Sequence, residues 1–204
     1  MTGDNMQEAR IGRETREKQN GHRSVILWFT GLSGAGKTTL AYAVEERLHK
    51  MGCRSYVVDG DIMRTGLCRD LDFSMEGRNE NIRRVGEVAK VMVDAGIIAI
   101  TAFISPLRNQ RRGVRALVEP GDFLEVFCRC PLPVCEKRDP KGLYRRARAG
   151  QIPDFTGISS PYEDPEHPEL ALDTAKLEVK ECVNMIVTLL VERGVIPVPN
   201  SPAL

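Results

Sequence analysis

Apolar positions along the chain fall into blocks whose spacing alternates between strand-like and helix-like. Val25-Ile26-Leu27-Trp28-Phe29-Thr30 is apolar on both faces, the pattern of a central parallel strand covered by helices on each side. Glycines follow at once. From Lys37 to Lys50 the residues Leu40, Ala43, Val44 and Leu48 recur at helical spacing, and Gly52 supplies a stop. The same reasoning predicts a strand at Tyr56–Val58, a long helix from Asn81 to Ala95, and strands at Ile97–Ile104 and Phe123–Cys128. A last helix, Lys176–Arg193, carries Val179, Val183, Ile186, Val187 and Leu190 on one face. Strands alternate with helices, so the expected fold class is α/β: one three-layer sandwich around a central parallel sheet.

Two stretches lack this periodicity. Residues 1–23 are almost wholly polar and are expected to form an arm or short helix outside the core, resting on a partner subunit, with the folded domain running from 24 to 204. Between Gly150 and Leu170 the chain carries Pro153, Pro161, Pro165 and Pro168, too long a run for a simple connector, and is expected to be an active-site lid.

Composition removes several function classes. Lys plus Arg number 29 against 28 Asp plus Glu, so no global positive field exists to hold a nucleic acid. No apolar run approaches the length of about 18 residues that a membrane span needs, and no apolar leader begins the chain, so a cytoplasmic protein is expected. Cysteines at 53, 68, 128, 130, 135 and 182 lack paired metal-ligand spacing. Local basic clusters at Arg108, Arg111, Arg112 and Arg115, and from Arg138 to Arg148, read either as sites for small anions or as solvated helix faces.

The strongest chemical signal is Gly31-Leu32-Ser33-Gly34-Ala35-Gly36-Lys37-Thr38, which matches G-x-x-x-x-G-K-[ST] between a strand and a helix. Its glycines let backbone N–H groups turn inward around phosphate, and the helix start adds partial positive charge. Lys37 is expected to reach the outer phosphates of a nucleotide and the Thr38 hydroxyl to hold Mg²⁺. Asp59-Gly60-Asp61 stands where the second strand should end, at the sheet edge where ligands of open α/β folds bind. One carboxylate there can accept a hydroxyl proton or order the metal through water; the plainer alternative is an acidic turn capping the next helix.

Beyond these, the chain resembles the adenylylsulfate kinase family of P-loop kinases over about Asn20 to Val195. The resemblance is carried by Asp59-Gly60-Asp61 with Arg64 and Gly66-Leu67, Phe73-Ser74, Arg78, and Glu80-Asn81-Ile82-Arg83-Arg84-Val85-Gly86-Glu87. It continues in Ile104-Ser105-Pro106, Arg138-Asp139-Pro140-Lys141-Gly142-Leu143-Tyr144, and Phe155-Thr156-Gly157 ahead of Pro161-Tyr162-Glu163. Met63, Thr65, Asp72 and Gly77 depart from the family pattern, and none replaces a residue assigned a charge role.

The resemblance implies transfer of the γ-phosphoryl of ATP to the 3'-hydroxyl of adenosine 5'-phosphosulfate, with Mg²⁺, in a homodimer and under a lid spanning about 141–170. It implies ATP binding by Gly31 through Thr38 and Thr39, with Arg138 and Asp139 beside the adenine. For the acceptor it implies Asp61, Arg64, Arg78, Asn81, Ile104, Ser105 and Lys141, with Phe73 and Phe155 on either face of the acceptor's base. Lys37, Asp61 and Ser105 are the catalytic candidates, and Thr38 holds the metal with Asp61 acting through water. The family pattern also associates Ser105 with a phosphoserine intermediate, yet no neighbouring base is visible in the sequence, which favours direct in-line transfer. A non-catalytic nucleotide-binding domain associated with an ATP sulfurylase is the alternative, and the intact Lys37, Thr38 and Asp61 argue against it.

Overall fold

A computed structural model describes residues 11–198. Five parallel strands, β1 (Ile26–Thr30), β2 (Ser55–Asp59), β3 (Ile98–Ala102), β4 (Phe123–Arg129) and β5 (Leu170–Asp173), form one sheet in the order β2-β3-β1-β4-β5. The first strand is central because both of its faces are apolar: Val25, Leu27 and Phe29 enter one core and Ile26 and Trp28 the other. On the first face lie α2 (Lys37–Lys50) and α8 (Val179–Glu192), which bury Leu40, Val44, Leu48, Ile186 and Leu190. On the second lie α4 (Met75–Asp94) and α5 (Arg108–Arg115), contributing Ile82, Val85, Ala89 and Val114. Each such large side chain contributes about 1.5–3 kcal/mol by leaving water, so the β1 register is strongly specified.

Short helices complete the chain: α1 (Arg13–Asn20), α3 (Gly60–Thr65), α6 (Leu132–Arg138) and α7 (Leu143–Arg148). Among the described residues no helix is long and apolar enough to cross a membrane. The expected helix at Asn81 starts six residues earlier, at Met75, because the Ser74 hydroxyl accepts the Gly77 N–H and caps it. The fifth strand was not anticipated from the sequence; its four residues are too few for a periodic signal and close the proline-rich stretch.

Part of the polar arm forms the short helix α1, which buries none of its own residues. Residues 1–10 lie outside the described residues, but α1 is seated on the chain's own body. Arg13 donates to the buried Asp122 carboxylate and to Ser24 Oγ (2.9 Å), while the Asn20 amide donates to Gly96 O (2.8 Å). Buried Asp122 requires a cation, and α1 brings one.

Candidate active site

The phosphate cradle forms at the carboxyl end of β1. Gly31, Gly34 and Gly36 all have positive φ, at 145°, 74° and 87°. At Gly31 a Cβ would stand 2.6 Å from Cys128 O, so only glycine lets the loop pass over β4. Gly36 precedes α2 without any side-chain cap, which leaves the first N–H groups of that helix free for an anion. Lys37 is buried and donates to Leu32 O (2.7 Å); burial pulls its pKa down to about 8.

A buried carboxylate joins this cradle to the next strand. Asp59 ends β2; its Oδ2 accepts the Thr38 hydroxyl (2.9 Å) and its Oδ1 accepts the Asp61 N–H (2.9 Å), capping α3. Asp59 was seen in the sequence only as half of an acidic pair, with the metal assigned to Thr38 and Asp61 acting through water. The structure gives the two carboxylates different surroundings: Asp59 is buried beside Thr38, and Asp61 is exposed and paired with Lys141. The all-oxygen donor set of Thr38 and Asp59 suits Mg²⁺, a hard cation that keeps several waters and is bound through one or two carboxylates plus phosphate.

Across the cleft, α4 presents Arg78 and Asn81 three residues apart, hence on one face. Asn81 is buried and its Oδ1 has no hydrogen-bond donor. An orphaned acceptor of this kind is costly unless a ligand donates to it. Arg78 donates to Phe73 O (2.8 Å), to Thr156 Oγ1 (3.1 Å) and to Asp154 O (2.5 Å), so one guanidinium joins the two segments that carry Phe73 and Phe155. Arg64 donates to Leu71 O (3.1 Å) and lies 4.1 Å over the Phe73 ring.

The two phenylalanines are unlike each other. Phe73 is 64% exposed, whereas Phe155 is 8% exposed and meets Tyr144 edge-on at 5.1 Å. The Tyr144 hydroxyl in turn donates to Ser33 O in the phosphate loop (2.9 Å). Phe155, within the stretch expected to be a lid, packs on Tyr144 in the structure. The lid itself is divided, because its later half is bound down by α5. Arg108 and Arg112 pair with Glu166, and Arg115 makes a two-pronged pair with Glu169 (2.7 and 2.9 Å). This basic cluster holds the acidic stretch 163–169 to the body, through pairs that stay largely solvated at Arg108 and Arg112 and are more buried at Arg115.

Ser105 is 1% exposed and has φ +39°. Its Oγ accepts from Trp28 Nε1 (3.0 Å) and donates to Thr30 Oγ1 (3.0 Å); Thr30 in turn donates to Ile104 O (2.8 Å). Because the Ile104 carbonyl can only accept, the Thr30 proton points to it and the Ser105 hydroxyl donates to Thr30. Arg138 donates to Gly34 O (3.3 Å) and Thr174 O (2.6 Å), beside the phosphate loop. Asp139 turns inward as a helix cap, its carboxylate accepting the Tyr144 and Arg145 N–H groups (both 3.1 Å).

A phosphate loop followed by a metal-side hydroxyl, a buried acidic strand end and a charged second pocket defines a P-loop kinase. The family model for adenylylsulphate kinase matches residues 23–173. An adenylyl-sulfate kinase of Acaryochloris marina is 58% identical over 186 residues, 91% of each chain. One from Geotalea uraniireducens is 59% identical over 176 residues, 86% of this chain and 85% of the other. The structure of the Mycobacterium tuberculosis APS kinase CysC in complex with AMPPNP and APS superposes with a TM-score of 0.79 at 45% identity, covering 83% of this chain and 98% of that one. The chain belongs to the adenylylsulfate kinase family and is an ATP-dependent phosphotransferase acting on adenylyl sulfate.

Proposed function

We propose that the chain transfers the γ-phosphoryl of ATP directly, in one in-line step, to the 3'-hydroxyl of adenosine 5'-phosphosulfate, with the residue roles that follow. The N–H groups of Gly31 to Thr38 cradle the phosphates and Lys37 spans the outer two. Thr38 and Asp59 would hold Mg²⁺, which would supply charge neutralisation for the phosphates. Arg78 and Asn81 orient the acceptor, with Arg64 and Phe73 on its open side and Phe155 on its closed side. The acceptor oxygen bonds to the γ-phosphorus as the bond to the bridging oxygen of ADP breaks, and the hydroxyl proton passes to Asp61. Lys141, the ion-pair partner of Asp61, turns to phosphate once nucleotide is present.

One observation carries the reading: a single carboxylate, Asp59, binds both the Thr38 hydroxyl and the Asp61 backbone, and so couples the metal position to the base. Direct transfer is supported by the Ser105 hydroxyl, whose proton is committed to Thr30 and whose oxygen lies out of solvent. The test is ADP release from Mg-ATP with and without adenosine 5'-phosphosulfate, with Lys37→Ala as control and the 3'-phosphorylated product confirmed by mass. Acceptor-dependent release is expected; ATP binding without it would defeat the reading.

A further inference from the structure

Arg111, on α5, is itself assigned to neither nucleotide nor acceptor, yet it is 3% exposed. Its Nε faces Glu125 Oε1 (2.7 Å), Nη1 donates to Ser105 O (2.6 Å), and Nη2 donates to Glu163 O (2.7 Å). The neighbouring groups close the same knot. Glu163 N–H donates to Pro106 O (2.8 Å), and the Tyr162 hydroxyl meets Thr30 Oγ1 (2.9 Å), one residue before the phosphate loop. The turn after β3, the return half of the lid and the end of β1 therefore converge on one guanidinium.

Ion pairs this deeply buried are weak sources of stability, since apolar residues of similar volume often do as well. Two hydrogen bonds to main-chain carbonyls beside an ion pair with a carboxylate instead specify geometry, which the compact ammonium of lysine cannot reproduce. The geometry held is an unfavourable one: Ser105 at φ +39° lies in a region where a non-glycine residue persists only if its surroundings enforce it.

We propose that Arg111 is a positioning residue for the acceptor half of the site. It draws the Ser105 carbonyl inward, keeps the left-handed turn, and joins that turn to Tyr162-Glu163, so that the wall ending in Phe155 and Thr156 has one shape. This rests on the functional reading above.

The chain's one tryptophan reports on the turn independently of activity, because Trp28 Nε1 donates to Ser105 Oγ. The experiment compares wild type with Arg111→Lys and with the charge-neutral pair Arg111→Met/Glu125→Gln. It measures kcat, both KM values and the Trp28 emission of the folded proteins. The expected result is a rise of about tenfold or more in acceptor KM, an ATP KM within about twofold of wild type, and a shifted Trp28 emission. Equal rises in both KM values, or a lowered Tm with unchanged KM values and emission, would overturn the proposal. If the neutral pair is insoluble, Arg111→Lys decides on the same criteria, since it keeps a cation opposite Glu125. Wild-type protein without acceptor-dependent turnover would defeat the functional reading instead, while the Trp28 emission would still test the turn.

Discussion

Lys37 has the most consequential environment of any single residue. Its pKa of about 8 lies below the ordinary 10.5, so between those values the folded protein binds fewer protons at this site than the unfolded chain. Lys37 therefore costs stability below about pH 8, and that cost is relieved as pH rises through the window. Nucleotide phosphate restores the charge. We expect proton uptake on ATP binding near pH 8–9, read by calorimetry in buffers of different ionisation enthalpy, and an ATP KM that climbs above about pH 8. Binding without proton exchange at that pH would contradict the burial of Lys37.

Two departures from the family pattern explain each other. A Cβ on Gly77 would collide with the Asp72 carboxylate and stand 2.7 Å from Asp72 O, while the carboxylate itself accepts the Ser74 N–H (3.1 Å). Gly77→Ala should cost about 1–3 kcal/mol in denaturant unfolding. Asp72→Ala should recover only part of that, because the main-chain oxygen remains in the way. Ser105→Ala leaves the Trp28 N–H without its acceptor and should cost about 1–3 kcal/mol of stability. Wild-type enzyme mixed with labelled ATP should yield no phospho-Ser105, checked by mass spectrometry.

Among the elements, α1 shows what a purely local reading misses. Its eight residues bury none of their own and carry too little apolar surface to predict a docked helix. Its anchor is a long-range ion pair, Arg13 with Asp122, and no periodicity encodes that. Arg13→Ala should lower Tm by an amount equivalent to about 1–3 kcal/mol, since Arg23 remains on Asp122 at 3.0 Å. A Tm unchanged by the substitution would mean that α1 rests on the body without supporting it. The α5 arginines follow the same logic: their charge pattern was plain in the sequence, but their partners in the 163–169 stretch sit 52 or more residues away. By contrast β1 and α2 were legible almost to the residue, because a strand apolar on both faces and a helix apolar on one each have a single way to bury their surface.

Over the whole molecule, the alternating pattern specified a parallel sheet, and a parallel sheet places its ligands at the carboxyl edge. That placed the phosphate loop and the Asp59-Gly60-Asp61 segment correctly before any coordinates. The division of labour between the two carboxylates was not legible, since burial depends on how α3 turns away from β2; the fixed Phe155 was likewise hidden, because Tyr144 is distant from Ser33 in sequence and adjacent in space. The resulting cleft has the phosphate loop on one side and, on the side proposed for the acceptor, walls joined through Arg78 and Arg111. The direct transfer proposed above needs no phosphorylated residue between donor and acceptor. The most direct measurement is the stereochemistry at phosphorus, using ATP made chiral at its γ-phosphorus with oxygen isotopes and recovering the 3'-phosphorylated product. One in-line displacement inverts the configuration, and inversion is the predicted result. Retention would require two displacements through a phosphorylated residue and would contradict direct transfer.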